Sequence, residues 1–224
     1  MSILQLTTGT LDRNEIIRLA GGGDFAVGSP IQKTLDHAIC VAESLAKGVG
    51  TYGVFPSAVE GSKIAIITDN DQQPIRVPSP GTARMQGVQA AAVFVVTIGG
   101  DLEQEVDRCF LQEAALEGLF LDAAGSVATE AVADELVSAI AEDARHHNMM
   151  VTYRFSPGYC NWKLELQKAI FHLIDPPDIG VELKQSMLMV PRKSVSGMVF
   201  LGEEISPLNP CLVCNRSDCR DRRT

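Results

Sequence analysis

No apolar run in the chain reaches the roughly 18–20 residues that a membrane span requires. The longest, residues 90–100, fits a buried strand. Residues 1–13 lack a basic segment followed by an apolar core, so no secretory leader is expected and the chain reads as cytoplasmic. There is no basic excess: 19 Lys and Arg stand against 28 Asp and Glu, a net charge of −9. That balance argues against wrapping nucleic acid or docking on an anionic membrane. The triple glycine at 21–23 has no strand before it and no Gly-Lys-Ser/Thr after it, which argues against a phosphate loop. Internal repeats and low-complexity linkers are also missing.

Aromatic residues are scarce, 5% of the chain, and this makes their placement informative. The single Trp and two of the three Tyr fall within residues 153–162, where the chain reads Tyr153-Arg154-Phe155-Ser156-Pro157-Gly158-Tyr159-Cys160-Asn161-Trp162. A Pro-Gly turn followed by an aromatic makes a rigid corner. Such a corner offers main-chain groups to a ligand while the ring covers one ligand face.

At 224 residues, one core-forming domain is expected. We divide the chain into an α+β body, 1–205, and a Cys-rich tail, 206–224. Short helices are predicted at 11–20, with Asp12 as cap, and from Ser29-Pro30 to Gly48. On the second, Cys40 reads as a small buried thiol. Strands are predicted at 51–55 and 63–68, with a polar loop or hairpin at 69–80. Residues 91–99 form a central strand covered on both faces. Residues 101–148 read as helix in two or more pieces, with Asp101 as cap and Gly125-Ser126 as a join or a close packing point. Its face at Glu130, Asp134, Glu135 and Glu142 is acidic. A strand at 149–155 feeds the Pro-Gly corner, a helix follows at 163–173, and strands are predicted at 179–190 and 194–202. Strands and long helices without regular alternation predict helices packed on a mainly antiparallel sheet.

The tail carries Cys211, Cys214 and Cys219 in a Cys-x2-Cys-x4-Cys run with Arg216, Arg220, Arg222 and Arg223 around it. Close thiolates can turn around one metal ion or one corner of an iron–sulfur cluster, and nearby Arg lowers thiol pKa values. Cys160 is the candidate fourth ligand. Spacing alone does not separate iron–sulfur from zinc, and the alternatives are a reducible appendage without metal and a disulfide pair plus a free thiol.

Two runs in order, Arg154-x-x-x-Gly158-Tyr159 and Gly180-x-x-Leu183…Met189-x-Pro191-x-x-Ser194-Val195-Ser196-Gly197, resemble the activation domain of cobalamin-dependent methionine synthase in a stand-alone form. The resemblance implies a curved, C-shaped α+β domain. It also implies binding of S-adenosylmethionine and reductive methylation of cob(II)alamin carried by a partner. By position, Arg154, Ser156, Gly158 and Tyr159 would contact S-adenosylmethionine, with Arg154 on its carboxylate. The acidic residue expected on the long helix falls at Ser138, with Asp134 and Glu130 one and two turns away. The implied partners are cobalamin-dependent methionine synthase or another corrinoid protein, and an electron donor protein. The chain would then be an accessory subunit of a methyltransferase. The competing reading is an iron–sulfur redox or capping partner of a corrinoid protein, without S-adenosylmethionine chemistry of its own.

Overall fold

The protein's structure, a computed structural model, describes residues 2–22, 29–68, 73–79, 85–159, 162–205, 209, 211 and 219. Among these, the order of elements is β1 (Ser2–Leu6), α1 (Arg13–Leu19), α2 (Ser29–Leu45), β2 (Gly48–Glu60), β3 (Lys63–Ile66), β4 (Ile75–Pro78), β5 (Ala90–Thr97), α3 (Asp101–Leu111), α4 (Ala115–His146), β6 (Met150–Val151), α5 (Gln167–Ile174), β7 (Glu182–Leu183), β8 (Met189–Val190) and β9 (Ser194–Gly202). The main sheet runs β4-β3-β2-β5-β9-β6, with β1 added to β2, and every pairing is antiparallel. The α+β class expected from the sequence is therefore the one observed.

The sheet is covered on both faces. All eight residues of β5 are buried. Ala92, Phe94 and Val96 point into a core shared with α1 to α4. Ala91, Val93 and Val95 point into a second core with Trp162, α5 and the strands β3 and β4. A strand with two apolar faces has no polar alternation to show in its sequence, which is why residues 90–97 read as one continuous run.

The helical region forms two pieces, as expected, and the choice left open at Gly125-Ser126 is decided. The break falls at Gln112–Ala114, and α4 passes through Gly125-Ser126 unbroken. Gly125 is a close approach: a Cβ there would lie 2.7 Å from Leu102 Cδ2 and 3.2 Å from Lys193 Cε. Asp12 caps α1 as expected, accepting from the amides of Asn14 and Glu15. Asp101 is not a cap. Gly100 holds that position without a side-chain bond, and Asp101 pairs instead with Lys47.

Two other expectations are corrected, and one strand was not anticipated. Residues 179–190 are not one strand. They form the β7–β8 hairpin, separate from the main sheet, with Met187 at positive φ in the turn. Cys40 is exposed, and Cys109 is the buried thiol, its pKa raised first by burial. The N-terminal strand β1 was unpredicted. It is a mostly exposed edge with little apolar periodicity, held by pairing with β2.

Candidate functional site

The site is built where the edge strand leaves β9. Val151 lies opposite Leu201, whereas Phe155 lies opposite Met198. The edge therefore spends one residue more than β9 over the same stretch, a bulge at Tyr153-Arg154. Because side chains alternate along a strand, the extra residue reverses which face the following ones take. Phe155 turns into the second core, with ring centroids 5.8 Å from Trp162 and 5.9 Å from Phe200. Arg154 is sent the other way, toward α4.

Immediately beyond the bulge the chain makes a tight turn. Tyr159 donates its amide to Ser156 O at 3.3 Å, with Pro157 and Gly158 between them and Gly158 at φ 94°. Pro at the second position and a positive-φ Gly at the third define a type II turn. Gly158 N–H also donates to Trp162 O at 2.9 Å, and Trp162 Nε1 donates to Pro78 O at 3.1 Å. The corner is thus tied to β4 through the one buried Trp. Tyr159 lies half exposed at its outer end.

Gly197 of β9 receives this corner. A Cβ at that position would lie 2.8 Å from Phe94 Cζ and 3.0 Å from both Phe155 O and Ser156 Oγ. No larger residue fits between the ring below and the turn above. This gives the Ser-Val-Ser-Gly run a physical meaning beyond its resemblance. Ser194 Oγ donates to Pro191 O, while Ser196 points into the second core.

The wall opposite the corner is α4. Arg154, 13% exposed, pairs through Nη2 with Glu130, and its Nε lies 3.4 Å from Asp134 Oδ1. The two carboxylates are more open to solvent, at 38% and 57%. Asp122, Ser126, Glu130 and Asp134 recur at four-residue steps and so form one stripe along the helix. Ser138, the next in line, donates to Asp134 O. The carboxylates beside Arg154 therefore stand one and two turns before Ser138. The sequence carried that signal as an acidic helix face, and the family resemblance pointed to Asp134 and Glu130 on it, but no local pattern paired them with an arginine 24 residues away.

The predicted ligand residues Arg154, Ser156, Gly158 and Tyr159 are thus brought together at one corner. Of the predicted metal ligands, Cys160 and Cys214 lie outside the described residues. Cys211 and Cys219 are half-buried. Among the described residues no group of three His, Cys, Asp or Glu is placed to hold a metal ion. No helix there is long and apolar enough to cross a membrane.

Fold and corner together define an α+β module in which a charged cluster joins a long helix to a sheet edge. The family model described as vitamin B12 dependent methionine synthase, activation domain, matches residues 79–208, more than half of the chain, and the chain belongs to that family. No curated protein matches the sequence. Among solved structures, the chain is similar to a crystal structure of the MetH reactivation domain bound to AdoHcy, at 18% identity and a TM-score of 0.70. The likeness covers 93% of this chain and 80% of that one, and it shows a shared fold.

Proposed function

We infer that the chain is a separate reactivation subunit for a cobalamin-dependent methionine synthase, and that it binds S-adenosylmethionine between α4 and the Pro-Gly corner. The observation that carries this reading is the cluster of Arg154 with Glu130 and Asp134 on the family's Arg-x-x-x-Gly-Tyr corner. The residues present suit the ligand. A guanidinium fork matches the ligand's carboxylate. Glu130 and Asp134, more open than Arg154, match its ammonium and sulfonium charges. The main chain of Ser156 and Gly158 and the ring of Tyr159 suit a flat heterocycle.

Binding would then be an exchange of ion pairs. The ligand's carboxylate takes over part of the guanidinium while its cations take the released side-chain carboxylates. No charge is left buried and unpaired, the condition under which such an exchange stays inexpensive. Once bound, S-adenosylmethionine supplies the methyl group of reactivation. The chain's own part is to hold that group in one orientation, the source of most of the rate gain when two reactants are brought together. Cobalamin belongs to the partner, and the electron to a donor protein.

The thiols Cys160, Cys211, Cys214 and Cys219 remain a separate proposal for one metal or cluster site. Metal analysis of anaerobically purified protein tests it: one metal equivalent lost in Cys160→Ser supports it, and metal-free protein ends it. The main reading is tested by calorimetric titration with S-adenosylmethionine. Saturable binding is expected, weakened on the order of 10- to 100-fold in Arg154→Ala, the worth of a charged hydrogen bond or two. With reductant and a cob(II)alamin-loaded methionine synthase, the wild type should restore methylcobalamin and Arg154→Ala should not. Absence of binding by the wild type, alone and with the partner, would overturn the reading.

A further inference from the structure

The stripe on α4 carries a second basic residue that the ligand reading does not use. Lys193, immediately before β9, lies across the helix at Gly125, with 13% of its side chain exposed. Its Nζ donates to Asp122 O at 2.9 Å and Ser126 Oγ at 2.9 Å, and sits 2.8 Å from Asp122 Oδ1. The ammonium thus makes two hydrogen bonds and an ion pair to one stretch of the helix. Its main chain is fixed as firmly. The amide donates to Glu103 Oε1 at 2.6 Å, and the carbonyl accepts from Ile98 N and from Thr97 Oγ1. Lys193 therefore locks the start of β9 to β5, α3 and α4 at once.

The helix and β9 are joined at two points along one face. Lys193 holds Asp122 and Ser126, and Arg154 holds Glu130 and Asp134. At about 1.5 Å per residue, Asp122 and Glu130 are roughly 12 Å apart along the helix. Arg154 reaches α4 from a corner that itself rests on β9 at Gly197. If a ligand takes part of Arg154, that tie loosens at the moment the helix must stay in place. The Lys193 tie touches none of the ligand-facing residues and is unaffected by the exchange.

We propose that Lys193 is a positioning residue for ligand binding: it keeps the Glu130–Asp134 wall registered against β9 while Arg154 is handed over to the ligand. The proposal rests on the reading that the ligand binds at Arg154, and it makes a separate statement about the ligand-free protein. There, either tie holds the helix, so the loss of one is partly masked by the other. Sites this far apart ordinarily act independently, and coupling between them would have to run through the two elements they join.

Two measurements on the full chain test it. In the first, S-adenosylmethionine is titrated into wild type, Lys193→Met, Lys193→Arg and Asp122→Asn, each well below its own Tm. Lys193→Met keeps the stem over Gly125 and removes the charge. We expect it to weaken binding about tenfold, with Lys193→Arg recovering most of the loss and Asp122→Asn shifted the same way. A lowered Tm with unchanged affinity would make Lys193 purely structural and overturn the proposal. The second measurement needs no ligand: Tm of Lys193→Met, Arg154→Met and the double variant. The double variant should lose more than the two single losses together. Strict additivity would refute the shared tie whatever the titrations give, whereas a wild type that binds nothing would fault the function reading alone.

Discussion

Arg154 owes its role to one inserted residue. Without the bulge at Tyr153-Arg154, the alternation that places Val151 against the helical core would continue, and Phe155 would face α4. With it, a ring is buried beside Trp162 and a guanidinium meets two carboxylates. The same economy holds at Gly197, where the corner and the Phe94 ring leave no space for a methyl group. Gly197→Ala should destabilise the protein by about 1–3 kcal/mol, the usual cost of overpacking, and should displace the corner. Urea unfolding followed by Trp162 emission reads both, since this single Trp is buried against Phe155 and Phe200. A variant as stable as wild type with unchanged emission would contradict the packing account.

Elements differ in how far their sequences announce them. Strand β5 and helix α4 were legible because burial imposes a pattern on every residue: an unbroken apolar run in one, an apolar face opposite an acidic one in the other. The β7–β8 hairpin was not legible. Its apolar residues Leu183, Met189 and Val190 read as strand, but only the turn closed by Lys184 and Leu188 shows that they pair with each other and not with the main sheet. Gly125 allowed two readings, a join or a close packing point, and no local pattern chose between them. Its lack of a side chain serves the approach of Leu102 and Lys193. Within α3, Arg108 donates to both carboxylate oxygens of Glu105 and holds its pKa below the ordinary value of 4.5. The sign follows from linkage. A carboxyl lowered in the folded state contributes stability that is complete above its unfolded pKa and disappears as pH falls through the folded one. Glu105→Gln should therefore lose less stability than wild type on acidification below about pH 4.5, and salt should shrink the difference because the pair is solvent-facing. Identical acid profiles for the two proteins would remove Glu105 from the account.

At the scale of the molecule, the candidate site lies where three separate parts of the chain meet: the corner at 154–159, the strand at 193–197 and the helix at 122–134. The first two carry recognisable motifs, and the sequence was sufficient to place them in one family and to anticipate an α+β fold. The third carries only an acidic periodicity, and acidic faces are common on exposed helices. The resemblance had pointed to Asp134 and Glu130 on that helix, and what brings them to Arg154 is the sheet order, with β6 at the edge and α4 lying over it. That order depends on long-range pairing that no local pattern records. The open groove beside Lys168, Leu183 and Met187, between α5 and the β7–β8 hairpin, offers the ligand a different place on the same molecule.

Hydrogen–deuterium exchange of the protein, with and without saturating S-adenosylmethionine, separates these two places most directly. The account predicts added protection in peptides covering 154–159, 193–197 and the 122–134 stretch of α4, with the β7–β8 hairpin unchanged. Protection confined to α5 and the β7–β8 hairpin, with the corner exchanging as before, would contradict it.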